Sequence, residues 1–135
     1  MNALSALSQY GKIKDDTQTM YASPHQLMLM LFDGALEAMS LTIAAIQNKN
    51  FELRSKQNTR SITIINGMRE CLDMDAGGEL AENLYSLYEY MAQELFRASF
   101  KNDAETVRNI QTMLKDIRGS WEKIPIDMHY MQKVN

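Results

Sequence analysis

Residues 21 to 36 read YASPHQLMLMLFDGAL, and six consecutive apolar side chains, Leu27 through Phe32, lie at their centre. The run follows directly on a helix-start signal. Ser23 stands at the N-cap, Pro24 at N1 and Gln26 at N3, which together spell a capping box. At 3.6 residues per turn, six apolar residues in a row wrap the whole circumference, whereas a surface helix normally carries a single apolar stripe. A helix of this kind has to be covered on more than one side, and the rest of the chain can be read for what covers it.

The first helix is expected over 24–48, ending at the polar Asn48-Lys49-Asn50. A second is expected over 51–74. It opens with RSKQNTRS (Arg54 to Ser61), polar on every side, and continues with the β-branched SITII (Ser61 to Ile65), so its helical reading rests on context. Asp75-Ala76-Gly77-Gly78 reads as a turn before a third helix over 79–101. There Leu80, Leu84, Leu87, Met91, Leu95 and Ala98 recur at spacings of three and four, beside a second stripe of Ala81, Tyr85, Tyr88, Ala92 and Phe96. Asp103 suits the cap of a last helix over 104–123, whose narrow seam is Val107, Ile110, Leu114, Ile117 and Trp121. Four long helices with short connections predict an all-α antiparallel four-helix bundle over 23–125. An N-terminal arm or short capping helix precedes it over 1–22, and a tail follows over 126–135.

Composition bounds the function classes. The chain has 135 residues, two prolines and a formal net charge of -3, which suits one domain and gives no electrostatic footprint for nucleic acid. Eleven methionines supply side chains that fill irregular core gaps or shape adaptable binding surfaces. Cys71 is the sole cysteine, so no intramolecular disulfide can form and a reducing compartment fits. The N-terminus lacks the pattern of a signal peptide, and Asp33, Gly34 and Glu37 cut the apolar run short of the roughly 20 residues that cross a bilayer. A cytoplasmic protein without membrane insertion is expected.

Recognisable catalytic chemistry is missing. Glu-x-x-His spacing, which builds metal sites in bundles, does not occur at His25 or His129. His25 reads as a solvated residue of the first turn, and Cys71 as a small buried hydrophobe. Asp33 and Glu37 have the spacing of a solvated helix face, although Asp33, which closes the apolar run, could equally accept hydrogen bonds from a neighbouring helix. Gly77-Gly78 lacks the spaced glycines and lysine of a phosphate loop. No catalytic residue, metal or cofactor is expected, and the protein is not read as an enzyme.

What remains is surplus apolar surface. The first helix offers Met28, Phe32, Met39 and Ile43 beside Leu27, Leu31 and Ala38, and the third adds Tyr85, Tyr88 and Phe96. Tyrosine and methionine suit helix-in-groove recognition, so a partner helix is expected on Leu27, Met28, Leu31, Phe32, Asp33, Leu84, Leu87, Tyr88 and Met91, with Tyr10 and Ile13 contributing from the arm. Leu4, Leu7, Tyr10 and Ile13 read either as one side of a lid over that groove or as a frayed terminus. The alternative is a dimeric helical regulatory adaptor whose surplus surface is a self-interface.

Two separated motifs resemble one known family. Ala22-Ser23-Pro24-His25-Gln26-Leu27 with Met30-Leu31-Phe32-Asp33-Gly34-Ala35, then Gly77-Gly78-Glu79 with Asn83-Leu84 and Leu87-Tyr88-Glu89-Tyr90-Met91, are similar to the flagellar secretion chaperone FliS family. Tyr10, Asn102-Asp103-Ala104 and Trp121 fit the same pattern, which covers about residues 8 to 123. The resemblance implies a helical bundle that binds the disordered C-terminal segment of flagellin, keeps it unpolymerised in the cytoplasm and assists its delivery to the flagellar export apparatus. It also implies that the arm around Tyr10 gives way to cargo. Contact with the export gate is a further family property, and some relatives bind an anti-sigma factor.

Overall fold

The structure, a computed structural model, describes residues 23–123. The arm with Leu4, Leu7, Tyr10 and Ile13 and the tail from 126 lie outside them. The described residues form four α-helices: α1 (Pro24–Gln47), α2 (Phe51–Glu70), α3 (Met74–Lys101) and α4 (Ala104–Glu122). Each follows a side-chain cap. Ser23 and Gln26 close the capping box of α1, Ser23 Oγ accepting from the Gln26 N–H at 3.1 Å and Gln26 Oε1 from the Ser23 N–H at 2.9 Å. Asn50, Asp73 and Asp103 each accept the backbone N–H three residues on, at 3.1–3.2 Å.

The helices are antiparallel in sequence, and α1 packs against both α2 and α4, α2 against α3, and α3 more lightly against α4. This order explains the apolar run. Leu27, Met28, Leu31, Phe32, Ala35, Ala38 and Met39 are all buried, because α1 presents one flank to α2 and another to α4. The expected outward surplus of Met28, Phe32 and Met39 is therefore corrected: all three are sealed in the core, and Ile43 is half-buried against it. Gly34, Ala35, Ala38 and Ala45 keep α1 slim enough for close approach on both sides. Among the described residues α1 alone is long and apolar enough to cross a membrane, with a mean hydropathy of 1.6 over its best window, since Asp33 and Glu37 are too few to lower it. Half of that window is buried in the bundle.

The polar opening of α2 is helical because Asn58 and Ser61 turn inward and find acceptors. Asn58 Nδ2 donates to the Leu95 carbonyl at 3.0 Å and Ser61 Oγ to the Gln57 carbonyl at 3.1 Å. Ile64, Ile65 and Met68 continue the same face into the core. The helix stops at Glu70, four residues before the expected end, with Cys71 as C-cap. Asp73 then starts α3 five residues earlier than expected, so the residues read as a turn supply a first helical turn. Gly78, at φ 54° and ψ −134°, separates that turn from the main helix.

Two outcomes follow from this junction. An added Cβ at Gly78 would meet nothing within 4 Å, so the constraint there is the backbone angle alone. Gly78→Ala is expected to lower stability by about 1–3 kcal/mol in denaturant unfolding. Burial, with Glu70 adding to it, pushes the Cys71 thiol up to about 11. Its alkylation near pH 8 is expected to run more than about 100-fold slower in the folded chain than in the unfolded one.

Candidate functional site

The flank of α1 facing α4 is fastened by polar contacts. Arg118 donates to Asp33 through Nε at 2.7 Å and Nη2 at 3.4 Å, and its Nη1 donates to Glu122 at 2.9 Å. These partners hold the guanidinium more firmly charged than usual, the Asp33 hydrogen bonds contributing most. Asp33 thus takes the hydrogen-bonded alternative of its two readings. Gln111 donates to the Leu36 carbonyl at 3.2 Å and to Ser40 at 2.7 Å. Below them, the His25 ring stacks on Trp121 at 5.5 Å, with Nε2 3.0 Å from the Trp121 carbonyl, while Trp121 Nε1 donates to the His25 carbonyl at 3.3 Å. The expectation of a solvated His25 is corrected, because the indole offers its ring a face and a carbonyl together. Glu37 lies 3.6 Å from Arg60 of α2. With both flanks closed, the apolar surface left on α1 is its outer face, where Leu29, Met30 and Leu36 are half-buried and Leu41 is exposed.

The remaining surface lies along α3. Tyr85, Phe96 and Phe100 are exposed on the flank facing α2, with Phe96 60% and Phe100 75% accessible and their rings packed edge to face at 5.1 Å. Together with Ile62 and Ala92, Phe96 and Phe100 wall a groove between α2 and α3, made of a cavity of about 580 Å³ adjoining one of about 200 Å³. Ile62, Phe96 and Phe100 line both cavities. Arginines mark its ends. Arg54 packs over Phe51 at the end near the α3–α4 connection, and Arg69 packs over Tyr85 and lies 3.5 Å from Glu89 at the other. Fifteen residues of helix separate them, about 22 Å along the axis. Such a trough has the length and lining to seat an apolar helix of about four turns.

The expected partner-binding residues divide into two groups. Leu27, Met28, Leu31, Phe32, Tyr88 and Met91 lie in the core, whereas Leu84 and Leu87 are half-buried on α3, and Asp33 is half-buried against Arg118. Of the groove's own walls, Ala92 and Phe96 belong to the second stripe expected on the third helix, and the others appear neither in that stripe nor in the expected partner surface. Asn58 and Arg54 sit in the stretch whose polarity obscured its orientation, and Ile62 in the β-branched segment that follows it. Phe100 follows Phe96 by one turn, and that spacing was the available signal. Among the described residues no group of three or more His, Cys, Asp or Glu is placed to hold a metal.

The family model for the flagellar protein FliS matches residues 6–127. The chain belongs to the FliS family. Similar relatives are the flagellar secretion chaperones FliS of Vibrio cholerae, 33% identical over 92% of this chain and 91% of the relative, and of Salmonella typhimurium, 34% identical over 92% and 93%. The flagellar secretion chaperone FliSB of Pseudomonas aeruginosa is 34% identical over 92% of this chain and 98% of its own. The matched FliS segment includes all four helices, both walls of the groove and the His25–Trp121 contact. Removing that contact should loosen the closed end of the bundle. Trp121→Ala is expected to lower unfolding stability by about 3–5 kcal/mol, read by chemical denaturation.

Proposed function

We propose that this FliS protein is a flagellin export chaperone. It holds the C-terminal segment of flagellin in the cytoplasm, prevents premature polymerisation and assists delivery to the flagellar export apparatus. The exposure of Phe96 and Phe100 above an apolar trough carries the reading, in a chain whose relatives are named flagellar secretion chaperones. A segment that pairs through apolar helical stripes with its own kind aggregates when those stripes are free. A trough that occupies one stripe blocks this pairing by mass action, without folding the cargo and without a nucleotide.

Cargo lies first against Ile62, Phe96 and Phe100, and the half-buried Leu84 and Leu87, farther round α3 from the trough, give it a second apolar surface. Leu27, Met28, Leu31, Phe32, Tyr88 and Met91 serve it from the core, by fixing the shape that α1 and α3 present. Tyr10 and Ile13 of the arm cover the trough until cargo displaces them. Contact with the export gate and with an anti-sigma factor belongs to the same reading through the family resemblance.

The test pairs Phe96→Ser with Phe100→Ser. Both side chains are exposed, so the double variant is expected to keep its melting temperature. It should bind a flagellin C-terminal peptide more weakly by over about 2 kcal/mol in titration calorimetry. Sedimentation of the wild-type chain with the peptide should give a one-to-one complex. Unchanged affinity in the double variant overturns the trough as the cargo site. A free protein that dimerises through the two phenylalanines and ignores the peptide favours the self-interface instead.

A further inference from the structure

The narrower end of the groove holds two polar atoms whose hydrogen-bonding capacity is unused. Asn58 is 4% exposed and lines the 200 Å³ cavity. Its Nδ2 is committed to the Leu95 carbonyl, which fixes the orientation of the amide, since the flipped form would set oxygen against oxygen. Its Oδ1 is buried and meets no donor among the described residues. One turn earlier, Arg54 lines the same cavity. Its Nη1 donates to Asn102 at 2.5 Å and its Nη2 to Ser55 at 3.2 Å, while its buried Nε–H meets no acceptor. A buried polar group without a partner forfeits the hydrogen bonds it made to water, and such groups are uncommon in native structures. Here a donor and an acceptor are left over on residues four apart along α2, whose Cβ atoms stand about 5–6 Å from each other.

We infer that this end of the groove is a specificity subsite for a side-chain carboxamide, an asparagine or glutamine carried on the apolar face of the guest helix. The inference rests on the cargo reading above for the identity of that helix. A carboxamide brings an oxygen to accept from Arg54 Nε–H and an NH₂ to donate to Asn58 Oδ1, the complementary pair. A carboxylate satisfies Arg54 but sets a second acceptor against Asn58, and an ammonium satisfies Asn58 but meets the arginine charge. An apolar side chain leaves both groups unpaired. Phe96, Phe100 and Ile62 line the rest of the cavity and take the apolar neighbours of the carboxamide. The trough thus selects register as well as hydrophobicity. Apolar contacts alone tolerate a slide by one turn, and a single buried polar match does not.

The test is a double-mutant cycle on the full chain. Each Asn, Gln, Ser and Thr of the flagellin C-terminal peptide is replaced in turn by Leu, and binding is measured to wild type, Asn58→Val and Arg54→Lys. Arg54→Lys keeps the charge while removing the Nε–H, and it controls for any loss of folding in Asn58→Val. One peptide position is expected to cost about tenfold in affinity against wild type and less than twofold against either variant. Additive costs at every Asn and Gln, or coupling at a Ser or Thr, overturn the carboxamide subsite and leave the cargo reading intact. If the peptide binds no form of the protein, the cargo reading falls and a second arm decides the subsite. Isobutyramide, isobutyrate and methyl isopropyl ketone are titrated against the wild-type chain while the Asn58 amide and Arg54 Nε–H resonances are followed. Shifts with isobutyramide alone support the subsite, and equal or absent shifts with all three overturn it.

Discussion

Helix α1 buries ten residues along one broad face, about 160° of its circumference at 3.6 residues per turn, and the rest of the bundle is arranged to keep water from them. Its two neighbours do this differently. The side of α2 that meets α1 is largely apolar, carrying Ile64, Ile65 and Met68. Along α4 an apolar seam of Val107, Ile110 and Leu114 is bordered by ion pairs and amide contacts, from Gln111 down through Arg118 to Trp121. Apolar packing alone specifies that two helices meet, while paired polar groups also specify at which register. The Arg118–Asp33 fork and the Trp121–His25 exchange join residues 85 and 96 positions apart, so they fix the alignment of the two terminal helices.

Helix α3 solves a different problem. Its core stripe, Ala81, Tyr88, Met91, Ala92, Leu95 and Ala98, closes the bundle, and Tyr85, Phe96 and Phe100 extend the apolar surface past what α2 can cover. Alanines at 92 and 98 bring the helix close, whereas the phenylalanines stand off from the surface at its rim. The result is a wall beside a trough, with the aromatic residues placed where no other described helix covers them.

Much of the architecture was legible because it rests on local signals. The capping box at Ser23, the caps at Asn50 and Asp103 and the three-four spacing in α3 and α4 each state their element without reference to the others. The start of α3 was not, because Gly77-Gly78 looks like a turn in sequence while only Gly78 takes a non-helical angle. The candidate site was less legible still. A run such as Leu27–Phe32 shows that a helix is apolar all round, but whether the excess faces a neighbour or a partner depends on which helices flank it. That is a property of the packing order. Arg54 and Asn58 were hidden for the converse reason: a polar stretch looks solvated until the opposing helix shows which of its residues turn inward.

The contact between His25 and Trp121 also orders events in time. Synthesis runs from α1 to α4, so the α1–α2 pair can form early, but the flank of α1 that receives Val107, Leu114 and Trp121 stays wet until the last stave of the barrel leaves the ribosome. A member of a family of secretion chaperones is thus, for most of its own translation, an unsheltered sticky helix itself.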